Sequence, residues 1–207
     1  MKQSELTPQE RGEYLGVATR QSRRIGLLVE QLLEAAKLEA GQVTVNVEPF
    51  PIGELLQDVV QKFALVARDR GVTLELDTKA AATMVNGDIA LLERVLDNLI
   101  DNALRHTPIG GRVTVQSQPR GERIRIAVTD SGPGLTREEA ERAFERFYRG
   151  DPGRSTHSGQ SGLGLAIVKS ILELHGSNVA VKSQPGHGAS FYFELPIVTQ
   201  PPRTAPT

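Results

Sequence analysis

One helix constrains this chain more than any other segment. Leu92, Val95, Leu96, Leu99 and Ala103 recur at three- and four-residue spacing and form an apolar stripe. Asn98, Asn102 and Arg105 fall on a different face of the same helix. Amides that the core does not claim look into a site. Two glycine-rich runs follow, Asp130-Ser131-Gly132-Pro133-Gly134 and Gly159-Gln160-Ser161-Gly162-Leu163-Gly164. A helix carrying amides on one face, then two glycine loops, can build an ATP pocket without a Walker lysine.

The rest of the chain supplies a frame for that helix. Thr7-Pro8-Gln9-Glu10 spells a capping box with proline at the first helical position. It predicts a long helix to about Ala40, ended by Gly41. Leu15, Ala18, Ser22, Ile25, Val29, Leu32 and Ala36 alternate three- and four-residue steps, a heptad seam. At about 1.5 Å per residue the helix is roughly 50 Å long. Such a seam asks for a partner helix, and the chain supplies no second helix of that kind. The alternative is a helix packed on its own domain.

Residues 43–47 alternate and predict a strand, broken by Pro49 and Pro51. A helix is predicted over 52–70, stopped by Gly71, then strands over 72–76 and at Met84-Val85. Asp88 opens the asparagine helix, which ends near Thr107-Pro108. Strands over 112–117 and 123–129 turn at Pro119-Arg120-Gly121. A short helix over 137–143 interrupts a long polar loop, and a further helix spans 163–175. Two last strands, over 178–183 and 189–195, are joined by Pro185-Gly186-His187-Gly188. This mixture predicts an α+β, two-layer α/β sandwich, with helices on one face of a sheet, preceded by one long helix.

Composition narrows the function classes. The 207 residues suffice for one domain and an appendage. A net charge of −1 gives no global electrostatic case for nucleic acid. Zero cysteines exclude disulfides and thiolate metal sites. No apolar run approaches the roughly 20 residues of a membrane span. Met1-Lys2-Gln3-Ser4-Glu5 lacks the apolar core of a signal peptide. Residues 199–207 are proline-rich and read as a disordered tail.

The chemistry follows from residue type and place. Asp130 sits where an apolar strand meets a glycine turn, so its carboxylate can accept a hydrogen bond from an exocyclic amine such as adenine's. Gly132 and Gly134 let the backbone approach a flat ring. Gly159, Gly162 and Gly164 precede a helix with no acidic residue in its first turn, an anion site by free amides and dipole. The run matches neither a P-loop nor the dinucleotide-binding spacing. Asn102 can offer a carboxamide oxygen to Mg²⁺, and Arg105 and His106 suit phosphate oxygens. The same residues also serve blander ends: an Asp-Gly turn, a linker into a helix, a helix cap at His106. His157 and His175 have no partner in the pattern, and no His/carboxylate spacing suggests a metal site.

Five segments in order resemble the N, G1, F, G2 and G3 boxes of bacterial sensor histidine kinases. They are 98–106, 130–134, Phe144-Glu145-Arg146-Phe147-Tyr148-Arg149, 159–168 and 186–191. The catalytic domain of those kinases belongs to the gyrase/Hsp90/histidine-kinase/MutL ATPase superfamily. The resemblance spans roughly residues 50–197 and implies a Bergerat-type sandwich holding Mg·ATP under a mobile lid. It implies that Asp130 binds the adenine amine, with Gly132, Gly134 and Leu135 beside it. Asn102 would hold Mg²⁺, with Asn98 next to it, and Arg105 and His106 stand in the places of a phosphate-binding Lys and Tyr. Asn98, Asn102 and Arg105 would be the catalytic set. The loop Gly162, Leu163, Gly164 and Leu165 would cradle phosphates. Ser190 would assist adenine through water, and Phe144 and Phe147 would anchor the lid.

The long helix resembles the second helix of the family's dimerisation and phosphoacceptor hairpin. The first hairpin helix, with its phosphoacceptor histidine, has no counterpart here. The domain reading is therefore 1–41 partial hairpin, 42–198 ATP-binding catalytic domain and 199–207 tail. The resemblance implies a homodimer through the hairpin, a response-regulator partner, no nucleic acid, a cytoplasmic location, and membrane attachment only through an upstream portion. ATP-hydrolysing members of the superfamily carry Glu at position 98, and Asn98 cannot accept a proton from water. The alternatives are a nucleotide-dependent interaction module without catalysis and an ATP-gated clamp of the same superfamily.

Overall fold

A computed structural model describes residues 7–79, 81–148 and 161–198. Among these residues the elements run α1 (Pro8–Glu39), β1 (Glu48–Pro51), α2 (Ile52–Asp69), β2 (Thr73–Thr78), β3 (Met84–Gly87), α3 (Ile89–His106), β4 (Arg112–Arg120), β5 (Arg123–Asp130), α4 (Arg137–Arg142), α5 (Gly164–Leu174), β6 (Ala180–Ser183) and β7 (Ala189–Pro196). The main sheet has the strand order β2-β4-β5-β7-β6. Its β2–β4 pair is parallel and its other pairs are antiparallel. A separate two-stranded sheet pairs β1 with β3.

Alternation along the strands separates two faces. Val113 and Val115 of β4, Ile124, Ile126, Val128 and Asp130 of β5, and Ala189, Phe191, Phe193 and Leu195 of β7 are all buried. They meet the apolar sides of α2, α3 and α5, so the core lies between one sheet face and one helical layer. The opposite face is polar. Arg112 pairs with Glu75, Gln116 with Asp77 and Arg125 with Glu194, and the Arg125 guanidinium lies 4.5 Å from the Tyr192 ring centroid. This is the two-layer α+β sandwich that the sequence predicts.

Residues 43–47 form no strand, contrary to their alternation. The strand begins at Glu48 and contains both prolines. It is tolerated because β1 is the edge of a two-stranded ladder, where a missing N–H leaves no neighbour unpaired. Asp88 caps α3, its Oδ1 accepting from Leu91 N–H at 3.1 Å. The capping side chain predicted at Glu10, the tail at 199–207, His157 and the lid segment 149–160 lie outside the described residues.

The long helix packs on its own domain along part of one face. Near its C-terminal end Ala35 and Leu38 are buried against the domain, where α1 meets α5. On another face Leu15, Ile25, Val29 and Leu32 of the seam stay exposed, from 49% to 64%. Among the described residues no helix is long and apolar enough to cross a membrane.

Candidate functional site

The site grows from the half-buried side of α3. Leu92, Val95, Leu96, Leu99 and Ala103 are buried, joined by Ile100 and Leu104, while Asn98, Asn102, Arg105 and His106 remain partly exposed. Asn98 Nδ2 donates to the Arg94 carbonyl one turn back, at 2.8 Å. Its Oδ1 then lies against the start of α5. A Cβ on Gly164 would stand 2.9 Å from that oxygen, so a side chain there would push the Asn98 amide aside. α5 opens at Leu163 with no side-chain cap and no acidic residue in its first turn. Its leading amides and dipole therefore present positive potential beside Asn98.

Arg105 leans on its own helix, its Nη2 2.5 Å from Asp101 Oδ2. Its Nε is buried with no acceptor among the described residues. Asp101 also faces Arg70, at the C-terminal end of α2, at 3.7 Å, a partner that sequence spacing does not reveal.

Asp130 closes β5 and is 6% exposed. Its Oδ1 accepts from Gly132 N–H at 2.8 Å and from Ala189 N–H at 3.3 Å. Burial pushes its pKa up, against the pull of those two amides and of nearby His106. Gly132 is pressed against α3, since a Cβ there would lie 2.7 Å from the His106 carbonyl oxygen. Gly134 backs onto the Gln184 carbonyl. Leu135 N–H donates to Ser183 Oγ at 2.7 Å, and that hydroxyl donates to the Gly188 carbonyl at 2.6 Å. The two loops are thereby tied around the Asp130 carboxylate.

Two sequence assignments change. Ser190 is not brought to the site. Strand alternation puts it with Thr129 on the polar sheet face, their hydroxyl oxygens 2.8 Å apart, while Ala189 takes the Asp130 side. Counting the two-residue period back from the buried Phe191 would have found this. Phe147 is 61% exposed and does not anchor a lid in the core. Phe144 does pack inward, edge-on to Phe191 with ring centroids 6.1 Å apart. Phe147 sits at φ 58, a strained value for a bulky residue, and its N–H donates to the Gly162 carbonyl at 2.9 Å. Gly162, with φ 70, turns the chain into buried Leu163, and Leu165 packs partly into the core. The structure thus gathers Asn98, the 162–165 loop, Gly132 and Asp130 along one side of α3.

Residues 87–199, more than half of the chain, match the family described as histidine kinase-, DNA gyrase B-, and HSP90-like ATPase. The chain is 34% identical over 180 residues to the sensor-like histidine kinase SenX3 of Mycobacterium tuberculosis, covering 87% of this chain and 44% of that protein. It is 37% identical over 174 residues to the alginate biosynthesis sensor protein KinB of Pseudomonas aeruginosa, covering 84% of this chain and 29% of that one. The chain thus spans less than half the length of either relative. Its fold superposes on full-length ShkA, solved in complex with AMPPNP, with a TM-score of 0.78 and 29% identity over 95% of this chain and 41% of that one. It superposes also on histidine kinase ThkA in its complex with the response regulator TrrA, with a TM-score of 0.76 and 24% identity over 96% of this chain and 55% of that one. The glycine-led helix against an asparagine, the buried aspartate at a strand end and the match across 87–199 agree: this chain belongs to the histidine kinase-, DNA gyrase B- and HSP90-like ATPase family.

Proposed function

We propose that the chain is the ATP-binding, phosphoryl-donating module of a sensor histidine kinase. The observation that carries this reading is the uncapped, glycine-led start of α5 set directly against Asn98. In this reading adenine lies at Asp130, whose carboxylate accepts from the exocyclic amine, with Gly132, Gly134 and Leu135 around the ring. The triphosphate runs along α3 toward the amides of Gly162 and Gly164, on either side of Leu163, whose N–H Ser161 Oγ holds at 3.1 Å, and Arg105 and His106 supply positive charge. Mg²⁺ fits the donor set here, since a carboxamide oxygen from Asn102 and the phosphates themselves are hard oxygen ligands. It would neutralise charge on the phosphates.

Transfer forms a bond from a histidine nitrogen to the γ-phosphorus and breaks the bond to the β–γ bridging oxygen, releasing ADP. The chain's own contribution is orientation and charge stabilisation. Asn98 cannot take a proton from water, so hydrolysis is slow. The acceptor is the histidine of a phosphoacceptor hairpin. His175 is not available for it, because Nε2 accepts from Asp88 N–H at 3.0 Å and Nδ1 lies 2.8 Å from the Ile171 carbonyl oxygen. A homodimer through the exposed seam of α1, relay to a response-regulator aspartate and a cytoplasmic location complete the proposal.

The test is incubation with γ-labelled ATP and Mg²⁺, with and without a supplied phosphoacceptor hairpin. Acid-labile label on the hairpin and none on this chain is the outcome the reading requires. Nucleotide binding without transfer would favour a non-catalytic interaction module. Fast release of labelled phosphate would favour a clamp-type ATPase.

A further inference from the structure

The long helix touches the site through polar side chains that none of the five boxes contains. Gln31, Glu34, Ala35 and Leu38 stand at i, i+3, i+4 and i+7 and share one face of α1. Ala35 and Leu38 supply the apolar part of that face. Gln31 Oε1 accepts from the Ser161 hydroxyl at 2.7 Å, and Ser161 Oγ accepts in turn from Leu163 N–H at 3.1 Å. Glu34 takes the Arg94 guanidinium with both oxygens, at 2.7 and 3.2 Å. Arg94 is the residue whose carbonyl holds Asn98 Nδ2. Glu39 pairs with Arg146, next to the strained Phe147 whose N–H meets the Gly162 carbonyl. One rigid helix therefore reaches the chain entering α5, the turn before Asn98 and the segment flanking Gly162.

Glue between helix and domain would need no such targets. Apolar contact at Ala35 and Leu38 holds α1 in place, whereas Gln31 and Glu34 each reach a residue one hydrogen bond from the proposed phosphate end. A hydroxyl has a free rotor. By taking the Ser161 proton, Gln31 turns an oxygen lone pair toward Leu163 N–H and fixes the peptide that opens α5. The two-oxygen clamp on Arg94 is directional and holds the Asn98 turn in the same frame.

We propose that Gln31 and Glu34 of α1 are positioning residues for the phosphate end of the nucleotide site, acting through Ser161 and Arg94. The proposal rests on the nucleotide-site reading above. It also gives α1 two duties on two faces, since the seam residues Ile25, Val29 and Leu32 point away from the Gln31 face. A helix that turns at its seam moves Gln31 and Glu34 with it.

The experiment measures binding of a non-hydrolysable Mg·ATP analogue and of adenosine to the whole chain, by calorimetry and NMR titration. The variants are Gln31→Ala, Ser161→Ala, their double, Glu34→Ala, and the exchanged pair Glu34→Arg with Arg94→Glu. Circular dichroism melts confirm that each is folded. Each single variant should weaken the triphosphate about three- to tenfold, the worth of one oriented hydrogen bond. Adenosine, which reaches only the Asp130 end, should bind as before. The Gln31/Ser161 double should lose no more than either single, because both act on one contact. The exchanged pair should recover most of the Glu34→Ala loss. Unchanged triphosphate affinity, equal losses for triphosphate and adenosine, additive losses, or tighter binding would each overturn the proposal. A parent chain that binds neither ligand would overturn the nucleotide-site reading itself.

Discussion

Asp130 has a single buried carboxylate doing two things at once. One oxygen holds the 130–135 and 186–190 loops together through Gly132 and Ala189. The group as a whole is the proposed adenine acceptor. Asp130→Asn keeps an oxygen for both amides but turns an NH₂ toward the ligand's amine. It should leave thermal stability close to the parent while weakening nucleotide about 5- to 150-fold, or about 1–3 kcal/mol. Calorimetric titration beside a thermal melt separates the two effects. Burial raises the Asp130 pKa, which sets the sign of a pH effect. A carboxyl with a raised folded pKa contributes stability in acid and loses it as pH rises through that pKa. Binding runs the other way, because the amine needs the ionised acceptor. Affinity should fall on acidification at a higher pH than an ordinary aspartate would set, and the parent-minus-Asp130→Asn difference should vanish there. Ser190→Ala should leave nucleotide affinity unchanged, since its hydroxyl faces Thr129 on the polar sheet face; a tenfold loss would restore the water-bridging role that the resemblance implies. At this scale the helical period made Asn98 and Asn102 readable. The missed signals are those that need two segments at once: Ala189 beside Asp130, Arg70 beside Asp101, Gln31 beside Ser161.

Among the elements, α3 was legible from end to end, because Asp88 caps it, an apolar stripe runs its length and Thr107 ends it. β1 was not, because its prolines signal a break unless the strand is known to lie at an edge. α1 was legible in length and seam but not in its docking face. Heptad spacing marks Leu15, Ile25, Val29 and Leu32, and nothing local marks Gln31 or Glu34 as contacts. The exposed seam leads to a further expectation. It contains the small or polar residues Ala18, Ser22 and Ala36, so self-association should be weak, with mostly monomer at low concentration. Ile25→Asp with Val29→Asp should abolish the association seen at high concentration in sedimentation equilibrium, and a tight dimer surviving both changes would place the interface elsewhere. His175 ties the C-terminal end of α5 to the N-terminal end of α3 through Asp88 N–H. His175→Ala should cost about 1–3 kcal/mol in denaturant unfolding, the penalty of an amide left without its acceptor.

At the scale of the whole molecule, a sheet with one polar face and one buried face leaves the helical side as the place to build a site. α3 carries the amides, α5 brings its N-terminus to them, and the 130–135 and 186–190 loops close the far end around Asp130. Such a site predicts where a nucleotide must be felt. Amide hydrogen exchange of the whole chain, with and without a non-hydrolysable Mg·ATP analogue, tests this most directly. Slowed exchange should concentrate at 130–135, 161–166 and 186–190, while the edge strand β2 and the far end of β4, residues 118–120, stay unchanged. Protection centred on the polar sheet face, or none at saturating ligand, would contradict the account.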